Sequence, residues 1–275
     1  MLLASNMLFA SDGVIEINHT CATELGCFSG DAVDYPVLID GSAGSSYKLT
    51  SDLIVPADSG GISVIAQNIS LDLNGFSIIS AACNTPSATI SCRPPTSTDG
   101  RDGINLDFGF EGFSVKNGSV IGMGANGILI FGESSTVTNI KARWNANAGI
   151  ITFSSSIVTR NISTENGHHG IATGPYSIIK DNTVRSNLAT GISCTTSSMI
   201  INNNVSGYHA TGISAGNYSN IRQNTIQVSN VIALDLSATT LNRALYSENY
   251  LESTSDEYVQ EGTSMGDNLC GNSAC

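Results

Sequence analysis

The sequence predicts an all-β solenoid, and three observations carry that prediction. Gly-Ile steps recur at Gly103-Ile104, Gly127-Ile128, Gly149-Ile150, Gly170-Ile171, Gly191-Ile192 and Gly212-Ile213, at spacings of 24, 22, 21, 21 and 21 residues. Self-similarity at such a period marks a repeat architecture. A second register follows twelve residues after the Gly, with Asn139, Asn161, Asn182, Asn203 and Asn224 in one column. Between these columns the side chains are short, polar and often β-branched, and no window holds apolar residues at helical spacing.

Each unit therefore consists of two or three short strands joined by turns. A unit this small cannot bury an apolar face alone, so neighbours must stack and share an inward row. The Ile after each Gly supplies one row, and Val158, Ile179, Ile200 and Ile221, nine residues after the Gly, supply another. The Gly suits a bend needing positive φ or close backbone approach. An Asn at a fixed turn tolerates the left-handed conformation and bonds neighbouring backbone. Stacked on identical turns, the five Asn form an amide ladder along the axis.

The period, the inward Ile row and the Asn column resemble the right-handed parallel β-helix of the pectate-lyase-like superfamily, over roughly residues 47–250. More narrowly, three segments resemble exported bacterial β-helix repeat proteins, most of which lack an assigned activity. These are the head from Cys21 to Ala32, the phrase Ile69-Ser70-Leu71-Asp72-Leu73-Asn74-Gly75-Phe76 and the tail Asp267-Asn268-Leu269-Cys270. The resemblance implies a single-stranded helix of about eight or nine coils.

Taken in order, residues 1–10 read as the end of a secretory signal without its basic start, or as an apolar cap on the first coil. Residues 11–60 form a lead-in and cap, in which the stretch Tyr47 to Pro56 has strand character. The helix proper spans 61–250, beginning at Gly61-Ile62, with Ile69, Leu71 and Leu73 alternating as one inward strand should. It is interrupted at 81–101 by a Pro-containing insertion that rejoins the stack just before Gly103. Residues 251–275 are an acidic C-terminal cap. Three Cys pairs, Cys21 with Cys27, Cys83 with Cys92 and Cys270 with Cys275, can each close a small loop, which points to an oxidising compartment: secreted, periplasmic or cell surface. Cys194 is left over and sits where neighbouring units carry Thr152, Thr173 and Ala215, so it reads as a small wall residue.

The chain has 275 residues, 41% of them hydrophobic, and one elongated domain suffices. A formal charge of −12 argues against nucleic acid as a partner. No apolar run reaches the length of a membrane span. A monomer is the default, with a trimer associated through the open faces as the alternative.

The corner preceding each Gly, where the insertion emerges, gathers the candidate site. It carries Arg101 and Asp102, Trp144 (the only Trp), Arg143 and Arg185 six residues before their Gly, Glu165 beside them, and His168, His169, Tyr208 and His209. In a stack rising about 4.8 Å per coil, Arg143 and Arg185 lie about 10 Å apart, with Glu165 in reach of both. One reading is a shallow polysaccharide groove. Trp144, Tyr208, His209, Glu165 and Arg101 would bind sugar, His168 or His169 would transfer a proton, and Arg143 and Arg185 would face carboxylates or sulfates. The resemblance to superfamily lyases implies proton abstraction from a uronate. The bland reading is a solvated turn with exposed ion pairs. Hydrolysis lacks its facing carboxylate pair, unless Asp99, Asp102 and Asp107 cluster at the insertion. No cofactor is certain from the sequence and calcium is the one possible; those same Asp residues or the acidic tail could hold it, but no ordered calcium-loop spacing is present. Arg160, Lys180 and Arg222, with Asp181 interleaved, read as a solvated stripe flanking the Asn column. A non-enzymatic surface or matrix protein, spacer or adhesin, is the alternative function.

Overall fold

The computed structural model describes residues 13–42, 44–80, 102–207, 210–229, 231–236, 244–254, 258–271 and 273–274. The insertion 81–101 with Cys83, Cys92 and Arg101, the segment 1–10, Tyr208, His209 and Cys275 lie outside these residues.

One coil shows how the sequence writes the fold. Ile150–Thr152 forms a first strand, Ile157–Thr159 a second and Ile162–Thr164 a third, and Ile171 opens the next coil. Each strand has its register partner one coil on, in parallel: Ile150 opposite Ile171, Val158 opposite Ile179, Ser163 opposite Val184. Repeated along the chain, the first strands make a ten-stranded sheet and the second and third together a twenty-stranded one. In two coils the second and third strands run through the corner unbroken, at Ser114–Ile121 and Thr136–Arg143. Pairing begins within the lead-in, where Ile15–Ile17 pairs with Tyr47–Leu49 and Val37–Ile39 with Ile62–Val64. A short helical turn, Cys21–Leu25, stapled by the Cys21–Cys27 disulfide and burying Ala22, packs at this end.

Three inward rows fill the core. Ile104, Ile128, Ile150, Ile171, Ile192 and Ile213 are fully buried, as are Val158, Ile179, Ile200 and Ile221. The third row is Ala142, Ser163, Val184, Val205 and Ile226. Each buried Ile contributes about 1.5–3 kcal/mol against an exposed reference. Ser163 is the polar exception, and it donates to the Gly170 carbonyl at 2.7 Å.

At each of the three corners a residue in the left-handed region is followed by a buried polar side chain. Arg160, Asp181, Asn202, Gln223, Glu248 and Asp267 have φ between 53° and 58°, and after them come Asn161, Asn182, Asn203, Asn224, Asn249 and Asn268. From Asn182 onward each ladder Asn Oδ1 accepts both the backbone N–H and the Nδ2 of the Asn one coil before, for example Asn161 to Asn182 at 2.9 and 3.1 Å. Each Nδ2 also reaches back to a strand carbonyl, as from Asn182 to Val158 at 2.9 Å. The left-handed turn aims the next N–H inward, where it needs an acceptor. A second Asn ladder, Asn145 to Asn166 to Asn187, follows left-handed Trp144, Glu165 and Ser186. A Ser ladder, Ser156 to Ser177 to Ser198 to Ser219, follows Ser155, Tyr176, Ser197 and Tyr218.

The expected Asn column requires one correction. Asn139 belongs to the left-handed row, is exposed, and donates to the exposed-side Asn117 at 3.2 Å. Ile140 takes the ladder position and its N–H goes to Asn161 Oδ1. The spacing of 22 rather than 21 residues between Gly127 and Gly149 shifts the register by one. Of the two roles open to the repeated Gly, close approach applies. A Cβ on Gly170 would lie 2.4 Å from Val184 Cγ1 and 2.7 Å from the Gly191 carbonyl, and Gly170 is not among the positive-φ glycines.

Candidate functional site

Arg143 ends its strand in register with Thr164 and, one coil further, Arg185. The next residue in each coil turns left-handed, which places Trp144, Glu165 and Ser186 in one outward row. Glu165 is the hub. Its Oε2 accepts Arg143 Nε at 2.9 Å and Arg143 Nη2 at 2.9 Å, and also the Trp144 indole N–H. The guanidinium lies over the indole, with Cζ 3.7 Å from the ring centroid. An exposed cation–π contact contributes about 0.5–1 kcal/mol and an exposed ion pair less than about 1 kcal/mol. Their joint effect is to fix the one Trp, half-buried, at the surface. Glu165 was expected within reach of both Arg; it engages Arg143, and Arg185 is exposed with no ion pair among the described residues.

Two residues beyond the ladder position of Asn166, His168 and His169 meet edge to face, with ring centroids 4.0 Å apart. His168 is exposed. His169 is partly buried and its Nδ1 accepts the Thr190 backbone N–H at 3.3 Å, so the proton of the neutral ring sits on Nε2. Burial, with His168 adding to it, holds the His169 pKa below its ordinary value. His169 thereby does what Asp102 and Asn126 do in the same column. Asp102 Oδ1 accepts Asn126 N and Nδ2 at 2.8 and 2.9 Å, and Asn126 Oδ1 accepts Ala148 N at 3.2 Å. The column caps backbone N–H groups that would otherwise be unpaired inside the corner.

Asp102 is consequently buried, with its pKa raised by burial, while Asp107 is exposed and accepts the Phe108 N–H. Among the described residues no three His, Cys, Asp or Glu side chains converge as metal ligands. Cys194 is buried between Thr173 and Ala215 in register, and burial pushes its thiol pKa to about 11, which suits a packing residue and not a nucleophile. Cys270 is disulfide-bonded.

Sequence reasoning missed a second surface feature. Phe108, Phe131 and Phe153, just beyond the first strands Ile104–Leu106, Ile128–Ile130 and Ile150–Thr152, form a triangle of rings 6.1–6.2 Å apart, and Phe108 is 70% exposed. Their spacings of 23 and 22 residues were the available signal.

Parallel strands stacked coil on coil over internal Asn and Ser ladders define a parallel β-helix. Residues 96–253, more than half of the chain, match the family described as the right-handed β-helix region, and the protein belongs to it. Among solved structures it is similar to the Dettilon tailspike protein, at 16% identity and a TM-score of 0.56 over 86% of this chain and 57% of that one. It is also similar to a double mutant of the periplasmic alginate epimerase AlgG, at 12% identity and a TM-score of 0.51 over 93% of this chain and 82% of the other. The chain thus spans a little over half the tailspike's length. At these identities the likeness is one of fold. No curated protein sequence matches the chain.

Proposed function

We propose that this protein is exported and binds a polysaccharide at the corner formed by Arg143, Trp144, Glu165, His168 and Arg185. The observation that carries this reading is the fixed indole. A surface Trp held by a carboxylate and a guanidinium, on the same corner as Arg185, which has no ion pair among the described residues, and an exposed imidazole, offers an apolar edge and charged hydrogen-bonding groups to a sugar chain. The name of one structural neighbour, an alginate epimerase, supports a glycan over other ligands. The Cys21–Cys27 disulfide and disulfide-bonded Cys270 support an oxidising location.

If a uronate bond is cleaved here, the chemistry falls to His168, because His169 Nδ1 is engaged by Thr190, and to Arg185, the cation of its row without an ion pair among the described residues. His168 would take the proton and Arg185 would face the carboxylate. A spacer or adhesin whose outer faces contact a partner without chemistry is the alternative reading.

The test is a titration of the folded chain with a panel of neutral and anionic polysaccharides, with and without calcium. Trp144 fluorescence reports binding, and the ultraviolet absorbance of unsaturated uronates reports cleavage. A fluorescence change abolished by Glu165→Gln, which removes the hub, is expected, and calorimetric titration of Trp144→Ala, which has no tryptophan left to report, should show binding lost as well. Absorbance growth lost in His168→Ala would add lyase chemistry. A silent panel would shift the assignment to the spacer or adhesin.

A further inference from the structure

One corner of the solenoid carries every exposed Phe and Tyr among the described residues. Phe108 is 70%, Phe131 36%, Phe153 38%, Tyr176 66% and Tyr218 62% exposed, and all five lie in the turns between a first strand and the second strand that follows it. The coils from Ile104 to Ile213 rise about 4.8 Å each, so the rings form a stripe about 24 Å long. Only the coil of Ile192 lacks a ring, carrying Thr195, Thr196 and Ser197 at its turn. Beside the stripe the second strands add exposed Ile157 and Met199, with half-buried Ile178 between them in register.

The turns themselves do not need these rings. Tyr176 and Tyr218 stand at left-handed positions, φ 60° and 59°, that Ser134, Ser155 and Ser197 fill in neighbouring coils over the same Ser ladder. Phe131 and Phe153 stand where later coils carry Gly174, Thr195 and Gly216. Small residues build the corner equally well, so the rings serve a contact outside the chain. At about 150–250 Å² per aromatic side chain, these exposures leave about 500 Å² of aromatic surface in water, the upper end for the largest apolar patch of a monomer. Two such stripes face to face exclude about 1,000 Å² before their aliphatic flanks are counted, the size at which a specific interface begins.

Charge sets the orientation. The turns of the stripe carry Asp107, Glu111 and Glu133, all exposed and on its first two coils, and no Lys or Arg. Its last coil carries Arg222, exposed and without an ion pair among the described residues. Two copies laid parallel would set acids against acids. Laid antiparallel, they bring Asp107 and Glu111 of one copy toward Arg222 of the other, set Phe153 against Tyr176, and seat Phe131 over the ringless turn of Thr195.

We infer that this corner is a self-association surface, on which a second copy of the chain docks antiparallel about a twofold axis crossing the stripe between the coils of Phe153 and Tyr176. It is a different corner from that of Trp144 and Glu165, so the polysaccharide reading stands or falls separately.

Sedimentation velocity of the full chain at rising concentration, to about 0.1 mM, tests the inference. A reversible equilibrium between monomer and dimer is expected; a monomer throughout, or a trimer, overturns it. Tyr176→Ser combined with Tyr218→Ser uses the residue that Ser155 and Ser197 already place at this turn, so the variant should melt like the native chain. Its dimer should dissociate at least about tenfold more readily. Phe153→Thr, as at Thr195 in the same column, is a second, independent truncation with the same direction of effect. Dimers as tight as the native one in these variants remove the corner from the contact. Arg222→Glu should weaken the dimer and Glu111→Arg, added to it, should restore it; a dimer indifferent to both changes overturns the antiparallel arrangement.

Discussion

The Nδ1 of His169 accepts the backbone N–H of Thr190, one coil further along, at 3.3 Å. Protonation of that nitrogen removes the acceptor and sets two N–H groups against each other. Burial already depresses the folded-state pKa below the ordinary 6.5, so the unfolded chain binds the proton first as pH falls. The contribution of this bond is therefore complete above about pH 6.5 and is lost as pH drops through the depressed folded value. The ring is only partly buried, which limits the effect to less than about 1 kcal/mol, or about 2 °C in melting temperature. His169→Asn supplies the amide that Asn126 already uses in the same column. Melting curves between pH 7.5 and 5 should show equal stability for the two proteins at neutral pH and a shallower acid decline for His169→Asn. Parallel declines would remove His169 from the acid response.

Asn182 and Asn139 look equivalent in sequence and differ by one residue in the coil. Asn182 is buried, and its Oδ1 takes two N–H groups of Asn161 while its own amide bonds Asn203 and Val158. Asn182→Ala leaves the Asn161 amide and the Val158 carbonyl unsatisfied in the interior, a loss of about 2–4 kcal/mol. Asn139→Ala removes one exposed bond to Asn117 and places Ala in the left-handed region at φ 54°, which together should cost about 1 kcal/mol. Guanidinium unfolding midpoints of the two variants should therefore diverge clearly, and similar midpoints would mean the ladder contributes little.

What the sequence revealed and concealed follows from period. The Ile row and the main Asn ladder were legible because they repeat every 21 residues in the same chemical identity. Asn145, Asn166 and Asn187 also repeat at 21, but over three coils only and beside variable neighbours, so the second ladder is recognised only once its left-handed turns are seen. The corner assembled by counting back from Gly joins Arg143 to Glu165 as expected, since parallel register preserves offsets. Counting could not separate His169, turned inward as a cap, from exposed His168. Side-chain direction at a bend depends on backbone angles that spacing does not encode.

Cys194 is the one free thiol among the described residues, 6% exposed, with its pKa pushed to about 11. At pH 8 it should be almost wholly protonated and shielded, so alkylation of the peptide containing Cys194 should proceed only as fast as the stack opens. Mass-spectrometric labelling at rising denaturant should show modification tracking the unfolding transition. Rapid labelling of the native protein would show that the coil around Cys194 opens on its own.

Gly170 is fixed by its neighbours and not by its own dihedral angles. An added Cβ would meet Val184 Cγ1 at 2.4 Å, Asn187 Nδ2 at 2.7 Å and the Gly191 carbonyl at 2.7 Å, and the last of these is backbone that cannot rotate away. Gly170→Ala must therefore spread the Gly-Ile corner or displace the second Asn ladder, a strain of about 1–3 kcal/mol. At Gly75, where a Cβ meets nothing within 4 Å, the obstacle is instead φ of 84°, and Gly75→Asn, the residue type that tolerates left-handed backbone, should cost under about 1 kcal/mol. Hydrogen exchange separates the two mechanisms. Gly170→Ala should raise exchange at Ile171, Ile192 and the Asn187 corner, while Gly75→Asn leaves those amides as protected as in the native chain; protection retained in Gly170→Ala would mean the corner yields without opening.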